Sequence, residues 1–202
     1  MASPEPTVFV VDDDEAVRDS LRWLLESVDL AVVTCDSAAA FAEVYRRGRP
    51  GCLVTDVRMP GLSGLDLQQR LAEAGVDLPV IVVTGHGDIS MAVRAMKAGA
   101  FDFIEKPYND QVMVDVVQAA VAQSLRQGDR RGERLAIEAR LAQLTPRERE
   151  VLDRVVDGGS NKSIARDLAI SEKTVETHRA RVMEKMEAGS LADLVRMVLS
   201  VD

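Results

Sequence analysis

Cysteine is scarce in this 202-residue sequence, and long apolar stretches are absent. The two cysteines, Cys35 and Cys52, have a spacing that fits neither a metal-binding nor a redox motif, so we expect small buried side chains. No stretch is long and apolar enough for a transmembrane helix, and the first residues do not form a basic, apolar leader. We therefore expect a cytoplasmic protein that does not bind membranes.

Positive charge is also scarce in the first part of the chain. Residues 1–125 carry 10 lysines and arginines against 19 aspartates and glutamates, whereas residues 126–202 carry 15 against 14. An acidic part joined to a nearly neutral part indicates two domains with different partners. The second part is not basic enough for its charge alone to identify a nucleic-acid-binding protein.

Short apolar runs alternate with helical spacings over the first 125 residues. The runs that predict buried strands lie at 8–11, 30–35, 52–56, 78–83 and 101–104. Helices are predicted between these runs and after the last of them, to about Leu125, with Ser37 capping the second, Ser63 opening the third and the fourth starting at about Asp88. Five such alternations predict an α/β domain built on a doubly wound, five-stranded parallel sheet.

Polar side chains follow four of the predicted strands. They are Asp12, Asp13 and Asp14 after the first strand, Asp56 at the end of the third, Thr84 at the end of the fourth and Lys106 after the fifth. We expect them to lie together, because the carboxyl ends of parallel strands meet at one edge. Clustered carboxylates need a cation, and oxygen ligands suit Mg²⁺ better than zinc or copper. With the Lys106 ammonium and the Thr84 hydroxyl, they form the parts of phosphoryl transfer to Asp56.

Each of these residues has a simpler explanation when it is taken alone. An aspartate after a strand commonly caps a turn or a helix, and we interpret Asp14 as a charge at a helix N-terminus. Arg58 and His86 lie two residues beyond Asp56 and Thr84, where they could shape the access of water to a phosphoryl group. The four matched strand ends together favour a phosphoryl-transfer site over isolated caps.

Residues 7–124 resemble the receiver domain of two-component response regulators. The resemblance rests on motifs that occur in the family's order, namely Asp12-Asp13, Asp56, Thr84 and Lys106-Pro107. It implies a flavodoxin-like fold in which Asp56 accepts phosphate from a sensor histidine kinase. It further implies that Lys106 pairs with the phosphoryl oxygens and that Thr84 hydrogen-bonds to the phosphoryl group.

The same resemblance implies a Mg²⁺ site and a switch residue. Asp13, Asp56 and the backbone carbonyl of Arg58 would hold the ion, and Asp12 would help through water. Phe103 would be the switch aromatic that turns inward, although a core position alone explains a phenylalanine there equally well. The Lys106–Pro107 peptide bond is expected to be cis, as in the family.

The remainder of the chain predicts a linker and a second domain. Residues 125–140 are rich in arginine, glutamine, glutamate and glycine and predict a helical linker with a weak point at Gln127–Gly132. Residues 141–202 predict a smaller all-α domain of four short helices. Thr145-Pro-Arg-Glu148 is a capping box with proline at the first helical position. The next three helices start at Ser160 or Asn161, at Ser171 and at Ser190, with a tight turn that suggests helix-turn-helix.

The third helix of this domain carries most of the residues that we expect to contact DNA. Val175, Val182 and Met186 follow a core spacing, and the opposite face is polar. The candidate phosphate contacts are Lys173, Arg179, Arg181 and Lys185, and the candidate base contacts are Glu176 and Thr177. A solvated helix of mixed charge would explain this helix if it stood alone.

Residues 141–199 as a whole resemble the LuxR-type DNA-binding domain. The pattern is Leu144-Thr-x-Arg-Glu-x-Glu-Val-Leu, Asn161-Lys-x-Ile-Ala and Ser171-x-x-Thr-Val-x-x-His-x-x-x-Val-x-x-Lys185. The resemblance implies phosphate contacts from Lys162, Ser163 and Thr174. At Glu187-Ala-Gly189 this chain is more acidic than many relatives. A receiver joined to this domain resembles the NarL/FixJ family, and the segment from Thr84 to Pro107 is FixJ-like in particular.

These observations predict a phosphorylation-controlled transcription regulator. Its expected partners are a sensor histidine kinase, promoter DNA, RNA polymerase as a further candidate, and a second copy bound through the fourth helix, fifth strand and fifth helix. The expected chemistry is self-phosphorylation and slow autodephosphorylation, without turnover as an enzyme. A phosphohydrolase is one alternative, but it would need an acid two residues after Asp56, where this sequence has Arg58. A receiver that docks proteins without being phosphorylated is the other.

Overall fold

The computed structural model describes residues 5–85 and 89–201. The chain divides into two compact units, Met1–Asp129 and Arg130–Asp202. His86, and Asp88 as the predicted start of the fourth helix, lie outside the described residues.

A five-stranded parallel sheet forms the centre of the first unit, as predicted. Its strands are β1 (Thr7–Val11), β2 (Ala31–Cys35), β3 (Gly51–Asp56), β4 (Val80–Thr84) and β5 (Asp102–Glu105), in the order β2-β1-β3-β4-β5. Val11 pairs with Cys35 on one side and with Thr55 on the other, and Asp56 pairs with Val83. The strand order reverses between β1 and β3, and ligands of such sheets bind beyond the carboxyl ends at that point.

Helices cover both faces of this sheet. They are α1 (Glu15–Glu26), α2 (Ala38–Val44), α3 (Gly64–Glu73), α4 (Ile89–Lys97) and the first part of α5 (Asp110–Leu141). Ser37 and Ser63 cap α2 and α3 as predicted, and Asp14 caps α1 by accepting from the N–H of Ala16. The caps fix where each helix leaves the loop after its strand.

Two apolar cores lie on the two faces, because successive strand residues point to opposite sides. Val8 and Val10 of β1 pack with residues of α1 and α5, among them Leu25. Phe9 and Val11 pack on the other face with residues of α2, α3 and α4. This alternation holds the sheet between two helical layers and leaves its carboxyl edge for polar side chains.

Helix α5 is longer than predicted. It runs without a break through Gly128 and Gly132, where we expected a weak point. A glycine costs about 1 kcal/mol relative to alanine in a helix, which is too little to interrupt a helix whose other residues favour it. Near its end Ile137 is buried in the core of the second unit, so the last part of the predicted linker packs there.

Four short helices complete the second unit, as predicted. They are α6 (Pro146–Val156), α7 (Asn161–Asp167), α8 (Glu172–Met186) and α9 (Leu191–Leu199). Thr145, Ser160, Ser171 and Ser190 cap them, and the capping box between Thr145 and Glu148 is formed. None of the helices in the described part of the chain is long and apolar enough to cross a membrane.

Candidate functional site

Asp12, Asp56 and Lys106 come together at the carboxyl edge of the sheet. The Nζ atom of Lys106 lies 2.9 Å from Asp12 Oδ2 and 2.9 Å from Asp56 Oδ1. Asp12 is 4% exposed and Asp56 is 8% exposed, so both carboxylates are largely shielded from water. Three of the residues expected at this edge therefore share one small, polar site.

The charge of Lys106 is secured by its two partners. Burial by itself would lower the pKa of the ammonium group, but the hydrogen bonds and the negative charges of Asp12 and Asp56 outweigh that effect and raise the pKa. Lys106 is therefore charged at neutral pH. This charge offsets the repulsion between two buried carboxylates, which would otherwise be costly.

The loop after β3 holds Asp56 in place. The backbone N–H of Arg58 donates to Asp56 Oδ2 at 2.5 Å, and the N–H of Val57 donates to the carbonyl of Val83 at 2.9 Å. A Cβ atom on Gly64 would lie 2.1 Å from the Asp56 carbonyl oxygen. Only glycine therefore allows α3 to begin this close to the acidic residue.

The loop after β1 holds Asp12 through its backbone and its side chain. Its N–H donates to the Cys35 carbonyl at 3.2 Å, and its Oδ1 accepts from the Asp14 N–H at 2.9 Å. Its carbonyl accepts from Arg18 Nη1 at 2.7 Å. Asp13 is exposed, and within the described residues its carboxylate has no hydrogen bond or ion pair. The motifs did not reveal Arg18, since its only signal was an arginine early in the helix after β1.

The carboxylates have the chemistry of a site for a hard divalent cation. Asp12 and Asp56 already share one cationic partner and Asp13 adjoins them, so the donors are all oxygen, as Mg²⁺ prefers. Within residues 5–85 and 89–201, no three metal-binding side chains converge closely enough to hold an ion by themselves. A Mg²⁺ ion would therefore rely on two carboxylates, the predicted Arg58 carbonyl and water.

Thr84 lies on β4, next to the Asp56 strand, and Phe103 lies on β5, one strand further out. Thr84 is the last residue of β4 and is buried, and Phe103 pairs with Val82 across β4 and β5. Phe103 is half-buried and packs against the core on the face of α2, α3 and α4. The Lys106–Pro107 peptide bond is cis, as predicted.

Most of the residues predicted to contact DNA lie on exposed parts of α7 and α8. The exposed ones are Lys162, Lys173, Glu176, Thr177 and Arg181, and the half-buried ones are Ser163 and Thr174. Lys173 pairs with Glu176 at 3.2 Å, an arrangement that contributes little when exposed. Arg181 has no hydrogen bond or ion pair among the described residues. The outward face of α8 therefore offers polar and basic groups to a ligand.

Two predicted DNA contacts are engaged inside the second unit. Arg179 Nη1 donates to Asn161 Oδ1 at 2.8 Å. Lys185 Nζ lies 2.7 Å from Oε2 of the buried Glu148. The hydrogen bond from Lys185, followed by that from the Thr145 N–H, lowers the pKa of Glu148 to about 2. Both cations thus connect helices of the unit, which the sequence patterns did not predict.

Comparison with known proteins matches each unit to a family. The family model described as the response regulator receiver domain matches residues 8–118, and that of the bacterial regulatory proteins of the luxR family matches residues 142–198. The transcriptional regulatory protein FixJ of Azorhizobium caulinodans is 52% identical over 192 residues, covering 95% of this chain and 91% of FixJ. The chain belongs to the NarL/FixJ family of response regulators.

Another relative and two solved structures are similar over nearly the same length of this chain. The transcriptional regulatory protein TdiR of Thauera aromatica is 48% identical, covering 96% of this chain and 85% of TdiR. The solved structure of the response regulator StyR has a TM-score of 0.88 with 44% identity, and covers 96% of this chain and 98% of its own. Full-length FixJ from B. japonicum has a TM-score of 0.59 with 42% identity, and covers 98% of both chains. This NarL/FixJ member is a phosphorylation-controlled transcription regulator.

Proposed function

We propose that Asp56 is the phosphorylated residue of this regulator and that a sensor histidine kinase supplies the phosphoryl group. The position of Lys106, with Nζ 2.9 Å from both Asp56 and Asp12, supports this most strongly. A carboxylate that is shielded from water beside a fixed cation can act as a nucleophile, because the cation stabilises the negative charge of the phosphorylated product. The sheet edge where strand order reverses is the expected place for such a site.

The proposed reaction assigns a role to each group at this edge. A carboxylate oxygen of Asp56 attacks phosphorus, so that a P–O bond forms while the P–N bond to the kinase histidine breaks. Asp13, Asp56 and the Arg58 carbonyl would hold Mg²⁺ directly and Asp12 would help through water, and the bound ion would supply positive charge to the phosphoryl group. Lys106 pairs with those oxygens, Thr84 donates its hydroxyl to them, and Phe103 turns inward.

The chain's own chemistry is proposed to stop at self-phosphorylation and slow autodephosphorylation. A phosphohydrolase that uses an aspartyl phosphate would carry a general acid two residues after its nucleophile. Here that residue is Arg58, whose N–H donates to Asp56. Position 58 therefore offers no acid to protonate the leaving group of a phosphate ester, which favours transfer from a kinase over turnover of small phosphate esters.

We place the promoter contacts on the exposed faces of α7 and α8. The proposed phosphate contacts are Lys162, Ser163, Lys173, Thr174 and Arg181, and the proposed base contacts are Glu176 and Thr177. Arg179 and Lys185 stay candidates for phosphate contacts through the donors that Asn161, Glu148 and Gln143 do not use. The proposed domain limits are 1–124, 125–140 for the linker and 141–202.

The phosphorylated form is proposed to pair with a second copy through α4, β5 and α5. Ile89, Val93 and Met96 of α4 are 85%, 45% and 48% exposed, and their spacing places them on one side of the helix. An exposed apolar stripe suits a partner of the same kind, and a dimer would bind paired half-sites. RNA polymerase is a further proposed partner, and the cytoplasm is the proposed location.

The experiment compares Asp56→Asn with a matched control, Glu26→Gln, an exposed carboxylate-to-carboxamide substitution at the end of α1. Acetyl phosphate and Mg²⁺ should label the wild type and the control, but not Asp56→Asn. A gel shift on DNA selected with the phosphorylated protein should show tighter binding with phosphodonor, except for Asp56→Asn. Stoichiometric labelling of Asp56→Asn would refute the acceptor. Equal DNA affinity with and without phosphodonor would favour a receiver that only docks proteins.

A further inference from the structure

We propose that Arg18 is a positioning residue for the metal side of the phosphoacceptor site, an inference that rests on the proposed role of Asp56. Arg18 lies on α1, and its Nη1 donates to the Asp12 carbonyl at 2.7 Å. Asp12 follows Val11, the last residue of β1 that pairs with the neighbouring strands. Its carbonyl is therefore held by a side chain from α1 at the point where the strand ends.

This hydrogen bond acts on Asp13 through the peptide group that follows. A peptide group is planar, so fixing the carbonyl of Asp12 fixes the plane of the Asp12–Asp13 peptide and the direction in which Asp13 leaves it. The Asp12 carboxylate has its own supports, Lys106 and the Asp14 N–H. Within the described residues, the Asp13 carboxylate has none. The backbone therefore sets the position of Asp13, and Arg18 holds that backbone.

The direction in which Mg²⁺ affinity changes when Arg18 is removed distinguishes a positioning role from a purely electrostatic one. A positive charge near the carboxylates repels Mg²⁺, so losing only the charge of Arg18 would tighten Mg²⁺ binding. Losing the hydrogen bond from Arg18 to the Asp12 carbonyl instead leaves Asp13 less well positioned and weakens Mg²⁺ binding. Groups that orient metal ligands typically change metal affinity by roughly 10- to 100-fold when they are removed. Weaker binding without Arg18 therefore identifies a positioning role.

Arg22 is the matched control on the same helix. Its Nη2 donates to Thr34 Oγ1 on β2 at 2.6 Å. Arg18 and Arg22 line the same cleft of about 270 Å³ beside α1. Arg22→Ala thus removes the same charge and a similar volume without losing a contact to Asp12.

The test measures equilibrium Mg²⁺ binding to the full chain by calorimetry. The Kd for Mg²⁺ should rise about tenfold in Arg18→Ala and stay unchanged in Arg22→Ala. Arg18→Lys keeps a charge and a donor and should restore part of the affinity. In metal-free protein, exchange of the Asp14 amide hydrogen, which is donated to Asp12 Oδ1, should accelerate in Arg18→Ala but not in Arg22→Ala.

Two results would overturn the inference. One is Mg²⁺ binding by Arg18→Ala that equals or exceeds the wild-type affinity, and the other is an equal loss in Arg22→Ala. If Arg18→Ala does not fold, Arg18→Gln replaces it under the same criteria. Failure of acetyl phosphate to label the wild type would instead count against the proposed function, while the Mg²⁺ binding series would still decide the role of Arg18.

Discussion

Replacing Lys185 with methionine tests how the second unit is held together. Lys185 Nζ donates to Glu148 Oε2 at 2.7 Å and to the Gln143 carbonyl at 3.1 Å, so it joins the end of α8 to the start of α6. Methionine keeps most of the side-chain volume and removes the ammonium. Glu148 is 2% exposed and would keep its hydrogen bonding with Thr145, including that from the Thr145 N–H, but no cation. The substitution therefore leaves a buried carboxylate without its counter-charge.

The size of the effect follows from this geometry. Breaking a buried ion pair by removing one partner costs about 3–5 kcal/mol. The side chain of Lys185 is 33% exposed, so water reaches the pair and we expect about 2 kcal/mol for Lys185→Met. In a unit of this size, that loss lowers the melting temperature by about 10 °C. Adding Glu148→Gln, which keeps the capping acceptor without charge, should recover about 1 kcal/mol.

The stability that the Lys185–Glu148 pair contributes should fall as the pH falls. Lys185 and Thr145 lower the pKa of Glu148 from 4.5 to about 2. A lowered folded-state pKa gives stability that is complete above the unfolded pKa and is lost as the pH falls through the folded value. The free-energy difference between wild type and Lys185→Met should therefore be constant above about pH 5 and shrink between pH 4.5 and 2.

Native-state hydrogen exchange of α6 and α8 in the full chain measures this free energy. Lys173→Met is the matched control, because it removes a lysine of α8 whose side chain is 86% exposed. It should change stability by less than about 0.5 kcal/mol. A similar small change in Lys185→Met, or further loss on adding Glu148→Gln, would refute the supporting role of Lys185.

Three further experiments probe the packing. Gly64→Ala should abolish labelling by acetyl phosphate, because its Cβ would lie 2.1 Å from the Asp56 carbonyl; normal labelling would contradict this contact. Cys52 is fully buried and its pKa is raised to about 12, so iodoacetamide at pH 8 should modify it only after unfolding in urea; native modification seen by mass spectrometry would disagree. A Cβ atom at Gly128 or Gly132 would meet no other atom, so Gly128→Ala and Gly132→Ala should each stabilise α5 by about 1 kcal/mol. Slower amide hydrogen exchange in α5 would show this stabilisation, and faster exchange would contradict it.

The sheet and its polar edge could be predicted because each depends on a local pattern. Buried parallel strands show as apolar runs, so the position of Asp56 at the end of β3 follows from the sequence once the run is recognised. The caps at Ser63 and Ser171 were predictable for the same reason, since a cap acts within one helical turn. Local rules thus give the elements and the edge where the site forms.

The contacts of long side chains could not be predicted in the same way. Lys185 and Arg179 stand where phosphate contacts were expected, but each reaches a partner on another helix, and only the packing of α6, α7 and α8 decides that. Arg18 also acts on a backbone carbonyl, which no side-chain pattern records. The uninterrupted length of α5 could not be predicted from Gly128 and Gly132, because the helix formers around them outweigh a cost of about 1 kcal/mol for each glycine.

Locating the phosphoryl group is the most direct test of the account. The full chain is treated with acetyl phosphate and Mg²⁺, digested, and its peptides are sequenced by mass spectrometry. The shared contacts of Lys106 predict one phosphoryl group, on Asp56, and much weaker labelling in Lys106→Met. A phosphoryl group on another aspartate, with Asp56 unmodified, would contradict the account.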